Sequence, residues 1–211
     1  MSRELEIEVD SASVERARAD LAVVPLFTGD RPLRGGVGRA DWRLCGRLSE
    51  LVASGRLAGE PGEAALVATF GGLQVPLLLV LGAGARADFG VQRLGEHTQE
   101  AVSRAIGLRA RVLALPFPDG AADGVAHERR VAALVGAAAS AVAEATPPVD
   151  LRMKLLVPRE DLTRAADLLR RAQGAGVPDV VALRLPAPRT RQAASGRGGA
   201  GAPSGGPHLV K

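Results

Sequence analysis

The sequence has no tyrosine, one tryptophan and four phenylalanines. A core so poor in aromatics must be built from Leu, Val and Ala. With 46% apolar residues over 211 positions, the chain carries enough of them for one well-buried domain. The same scarcity excludes a stacking platform for single-stranded nucleic acid, which needs several exposed aromatic faces. Cysteine is reduced to Cys45, so no intramolecular disulfide can form. The first ten residues, MSRELEIEVD, lack the basic region and apolar run of a signal peptide. The longest apolar helix candidate, Val131 to Ala143, is too short and alanine-rich to span a bilayer. A cytoplasmic protein without membrane association is expected.

Lysine is also nearly missing: Lys154 and Lys211 are the only two of the 27 basic residues. The net charge of +4 has one location. Residues 187–211 hold Arg189, Arg191, Arg197 and Lys211 with no acid, so the remaining 23 basic and 23 acidic residues leave the body neutral. From Pro186 onward the chain is Gly, Ala, Ser, Pro and Arg. Such a segment buries too little to offset its ordering entropy, so 187–211 is expected to be a disordered basic tail behind a domain of residues 1–186. Nucleic-acid contact through that tail would be non-specific and salt-sensitive.

The body alternates strand and helix patterns. Leu5-Glu6-Ile7-Glu8-Val9 has the period of a half-exposed strand and predicts a sheet edge. Residues 19–27 predict a more central strand. Leu44, Cys45, Leu48, Leu51 and Val52 predict one helix from about Ala40 to Ala53, with Cys45 buried on its apolar face. Strands over 64–70 and 75–81 read as a hairpin across Gly71-Gly72. A helix over 91–106 follows, then a strand over 111–117 closed by Pro118-Asp119-Gly120. An alanine-rich helix over 125–145, a strand over 151–157, a helix over 159–173 and a strand over 180–185 complete the body. This order predicts an α/β fold, a three-layer α/β/α arrangement with a mixed sheet.

Two glycine clusters are the candidate ligand sites. Gly82-Ala83-Gly84-Ala85-Arg86-Ala87 matches the letters of a dinucleotide loop. A working loop of that kind opens directly into a helix and is followed about twenty residues later by an acid that holds the ribose. Here the helix starts late, after Asp88-Phe89-Gly90, and the strand over 111–117 has no such acid. Leu33-Arg34-Gly35-Gly36-Val37-Gly38 also precedes a helix, and its amides can cradle a phosphate. Gly35, Gly36, Gly82 and Gly84 are therefore the candidate ligand-binding residues, expected to line a cleft at the carboxyl edge of the sheet. The histidines His97, His127 and His208 are scattered, and neither a metal site nor a catalytic set is expected.

The order of these segments resembles the N-terminal domain of the leucine aminopeptidase family. The resemblance rests on ADLAVVPLFTGDRPL, the turn Gly55-Arg56-Leu57-Ala58-Gly59-Glu60-Pro61-Gly62-Glu63, and Val80-Leu81-Gly82-Ala83-Gly84, over roughly residues 18–145. It implies a macro-domain-like fold in which the glycine loop is a structural turn. That family's metals are held by a C-terminal domain with a Gly-Lys-Gly segment and an Asn-Thr-Asp-Ala-Glu-Gly-Arg segment, and neither segment stands in this sequence. The resemblance thus implies a stand-alone, non-enzymatic module without a cofactor, working through a protein partner or self-association. A nucleotide- or ADP-ribose-binding module and a regulatory or split subunit of a peptidase are the alternatives.

Overall fold

The computed structural model describes residues 3–116, 124–172, 178 and 181–184. The predicted tail and the Pro118-Asp119-Gly120 turn lie outside the described residues. The strands are β1 (Glu4–Asp10), β2 (Leu21–Phe27), β3 (Ala64–Ala68), β4 (Leu77–Gly84), β5 (Val112–Pro116), β6 (Asp150–Leu156) and β7 (Ala182–Arg184). The helices are α1 (Gly35–Arg43), α2 (Arg47–Ala53), α3 (Val91–Gly107), α4 (Gly124–Glu144) and α5 (Leu162–Ala172). The strands form one sheet in the order β3-β4-β2-β5-β6-β1-β7. Only β3 against β4 is antiparallel; the other pairs are parallel.

Strand alternation sorts side chains onto two faces. Leu21, Val23, Leu79, Leu81, Leu113, Leu115, Met153 and Leu155 pack on one face with α3, α4 and α5. Ala22, Val24, Leu26, Leu78 and Val80 pack on the other with Val37 and Ala40 of α1 and Leu48 and Val52 of α2. Strands β2 and β4 are covered on both sides, which is why they read as continuous apolar runs.

The alternating strand β1 is not an edge. It lies between β6 and β7, with Leu5 and Ile7 fully buried beneath the helices. Its acids mark a sheet face that no helix among the described residues covers. There Glu6 meets Arg152 at 2.7 Å and Glu8 meets Lys154 at 3.4 Å, each directly opposite in register. Period-two polarity reports one open face, and an open face does not require an open edge.

The single helix predicted over 40–53 is two. Cys45 (φ 55) and Gly46 (φ 81) take left-handed backbone between α1 and α2. The buried carboxylate of Asp41 then caps the second helix: it accepts from Leu48 N at 2.7 Å and Ser49 N at 3.0 Å, and Ser49 Oγ donates to it at 2.5 Å. Cys45 consequently stands exposed at the corner, not buried on an apolar face. The β3–β4 hairpin is present, but its connection runs over residues 69–76 and is longer than the Gly71-Gly72 turn expected.

Candidate functional site

The motif turn has a local physical basis. Gly55, Gly59 and Gly62 have φ of +72°, +87° and +90°, a region that penalises any side chain. The Glu63 carboxylate then gathers the amides of Ala58 and Gly59, both at 2.8 Å, and of Glu60 at 3.1 Å. These charge-assisted bonds, led by that from Ala58, hold its carboxyl below the usual range. Leu57 anchors the turn in the core beside α2.

This turn lies across the end of β4, and it explains the G-x-G letters. A Cβ on Gly82 would stand 1.8 Å from the Glu60 carbonyl oxygen. Gly82 N donates to Glu63 O and Gly84 N to Gly59 O, both at 2.8 Å. Gly84 has φ +74°, and its carbonyl accepts from Thr28 N at 3.0 Å. Gly82 and Gly84 are buried under the 59–63 turn, and they do not line a cleft. Their role is to let two backbones approach closely.

Gly35 and Gly36 do line one. A cleft of about 330 Å³ opens at the carboxyl ends of β1, β2, β5 and β6, where a parallel sheet leaves a crevice between helices. Gly35 (φ +60°) makes the sharp entry into α1, so the glycine-rich stretch is the first turn of a helix and not a loop before one. Arg34 takes the cap position without a side-chain hydrogen bond, and the first turn contains no acid. The leading amides of α1 and its positive dipole end thus face the cleft uncompensated by a carboxylate on the helix itself.

Arginines dominate the rim. Arg34 is exposed, Arg39 meets Glu15 at 3.6 Å, and Arg86 meets Asp30 at 2.6 Å. The Arg86 guanidinium also sits 4.1 Å from the ring centroid of Phe27, whose other contact is an edge-on pair with Phe89 at 5.1 Å. Phe27 lines the cleft, but its face is already covered by the cation. Ser11 and Ser13 add hydroxyl-bearing residues to the opposite wall. The arrangement suits an anionic group, with the arginines supplying charge and α1 supplying oriented amides. The signal for Arg86 stood in the sequence next to Gly84. That for Arg34 and Arg39 stood beside the second glycine cluster.

Behind Phe89 sits a buried histidine. His97 on α3 packs edge-on to Phe89 at 5.8 Å, and its ring hydrogen-bonds the Leu81 carbonyl. Nε2 is buried with no hydrogen-bond partner. Burial pushes this imidazole down from 6.5 to about 4. On the same helix His97 points inward, whereas Glu100 pairs with Arg104 at 2.8 Å. Among the described residues, no three His, Cys, Asp or Glu side chains are grouped to hold a metal ion. No helix among them is long and apolar enough to cross a membrane.

The layers, strand order and crevice define an α/β/α domain of the macrodomain type. The sequence matches the model of the N-terminal domain of the cytosol aminopeptidase family over residues 23–145, more than half of the chain, and the chain belongs to that family. None of the curated proteins matches it. Among solved structures, a tomato leucine aminopeptidase mutant superposes with a TM-score of 0.57 at 16% identity, covering 82% of this chain and 36% of the tomato chain. This chain therefore spans about a third of that enzyme's length. A Trypanosoma brucei macrodomain in complex with ADP-ribose superposes at 0.57 and 18% identity, covering 80% of this chain and 69% of the other. An Oceanobacillus iheyensis macrodomain with ADP gives 0.55 and 10%, covering 78% and 88%.

Proposed function

We propose that this chain is a non-catalytic domain of the aminopeptidase N-terminal type that acts as an interaction module through protein–protein association. The observation that carries this reading is where the scarce aromatics lie. Of five in the sequence, Phe70 is 97% and Trp42 78% exposed, and Leu66 on β3 is 46% exposed. A chain this poor in aromatics that leaves two of them in water has placed contact area where a partner can use it. Incubating the purified chain with leucine amide substrates and added manganese or zinc tests the reading. Leucine release is expected to match a protein-free blank, and robust metal-dependent release overturns it.

A second reading follows from the cleft at α1, whose open amides and Arg34 favour a phosphate-bearing ligand of the ADP-ribose class. The ADP-ribose-bound macrodomain of like fold supports asking the question. Calorimetry with ADP-ribose and NAD separates the readings. Millimolar or absent binding favours the interaction module. Micromolar affinity lost in Arg34→Glu favours the ligand site.

A further inference from the structure

We infer that the groove along the solvent face of α1 docks an acidic segment of a partner protein, whose carboxylates meet Arg16, Arg39 and Arg43 and whose apolar side chain covers Trp42. This docking rests on the interaction-module reading and specifies that partner's chemistry.

The groove has two fixed walls. On α1, Val37, Ala40 and Asp41 are buried, so Arg39, Trp42 and Arg43, spaced i, i+3 and i+4, share the outward face. Arg39 and Arg43 stand about 6 Å apart along the helix axis. The facing wall is the turn after β1. There Arg16 N and Ala17 N both donate to Ser13 O at 2.9 Å, and Val14 and Ala17 are buried in the core below α1. Gln74 N donates to Glu15 O at 3.2 Å, which ties the turn to the β3–β4 connection. Glu15 and Arg16 are left lining a groove of about 560 Å³, with Leu33 and Trp42 as its apolar surfaces. Both walls are in place before a partner arrives, which lowers the ordering cost of binding.

Charge selects the occupant. Residues 1–186 carry 23 basic and 23 acidic residues, yet in this groove three arginines stand against the one carboxylate of Glu15. Glu15 meets Arg39 at 3.6 Å, beyond hydrogen-bond distance. Arg16 and Arg43 have no ion-pair partner among the described residues. A guanidinium presents a planar fork that takes a carboxylate through two parallel hydrogen bonds. Beside these forks lies the one tryptophan of the chain, 78% exposed. Tryptophan and arginine are the residue types that anchor an interface once water is excluded from them.

A polypeptide supplies both missing parts, carboxylates for the arginines and, on one face of an extended segment, apolar side chains for Leu33 and Trp42. A nucleic-acid strand supplies anions, but its bases stack on several aromatic faces, and this groove offers one.

The emission of Trp42 tests the docking directly, because the full chain has no other tryptophan and no tyrosine. The probe is a glutamate-rich peptide of about twelve residues carrying two leucines, with its glutamine counterpart as control. The acidic peptide should shift the emission to the blue and saturate at micromolar concentration in low salt, weakening as salt rises. The glutamine peptide should leave the emission unchanged. Arg16→Glu and Arg43→Glu, exposed changes on separate walls, should each weaken binding by at least about fivefold. Arg109→Glu makes the same change in net charge just past α3, on the other side of the sheet, and should leave the affinity unchanged. No shift at about 1 mM peptide overturns the inference. Binding that leaves Trp42 emission unmoved, or that is indifferent to both groove reversals, overturns it equally. A shift driven at lower concentration by a twelve-nucleotide oligothymidine, or by raising the protein concentration alone, assigns the groove to nucleic acid or to a second copy and also overturns it. Each of these results leaves the non-catalytic reading standing, which only peptidase activity removes.

Discussion

The titration of His97 can be predicted with its sign and size. In the folded chain the imidazole is 6% exposed, and burial holds it down to about 4, whereas the unfolded chain titrates near 6.5. Above pH 6.5 both states are neutral and the group contributes nothing to pH dependence. As pH falls from 6.5 toward 4, the unfolded chain binds a proton that the folded chain refuses, so stability declines by about 1.4 kcal/mol per pH unit. Between pH 7.5 and pH 5 the loss is about 2 kcal/mol, or about 3 kcal/mol once pH 4 is passed. For a domain of this size, 2 kcal/mol corresponds to roughly 4–8 °C in melting temperature. The assay is urea unfolding of wild type and His97→Gln at a series of pH values. Glutamine retains a donor for the Leu81 carbonyl and removes the titration. Wild type should lose about 2 kcal/mol more than the variant between pH 7.5 and 5. Equal losses in the two would refute the buried, neutral state of His97.

Gly82→Ala should destabilise by at least about 2 kcal/mol, because its methyl would drive the 59–63 turn off β4; chemical denaturation measures it. Asp41→Ala removes the cap shared by three donors of α2 and should lower stability by about 1–2 kcal/mol, with the loss of helix confined to α2 in hydrogen exchange. Glu63→Gln should increase the exchange rates of the Ala58, Gly59 and Glu60 amides while leaving distant ones unchanged. Cys45, exposed at the helix corner, should react with a thiol reagent in the native protein at a rate close to that in urea.

How far the sequence reached can be judged element by element. The helices Val91–Gly107 and Gly124–Glu144 and the strands Leu21–Phe27, Val112–Pro116 and Asp150–Leu156, expected over 91–106, 125–145, 19–27, 111–117 and 151–157, were legible because each carries its own apolar run or period. The break at Cys45-Gly46 was not, because the apolar spacing of Leu44, Leu48, Leu51 and Val52 continues through it. The left-handed backbone of Cys45 and Gly46 and the carboxylate of Asp41, reaching seven and eight residues ahead, reveal that two helices meet there. Of the four glycines singled out, Gly35 and Gly36 reach the cleft, and Gly82 and Gly84 lie under the motif turn.

By itself, the sequence determined the alternation of strands and helices, the aliphatic core, the neutral body and the family. These are properties of local period and composition, and a chain carries them in any conformation. Tertiary structure alone decided that β1 is interior, that Gly82 exists to admit the Glu60 carbonyl, that α1 opens onto an arginine-lined cleft, and that β3 ends the sheet among the described residues. Each depends on segments that are distant in the chain and close in space. Close approach is set by packing, which excludes volume wherever the chain returns upon itself, and no local pattern records it.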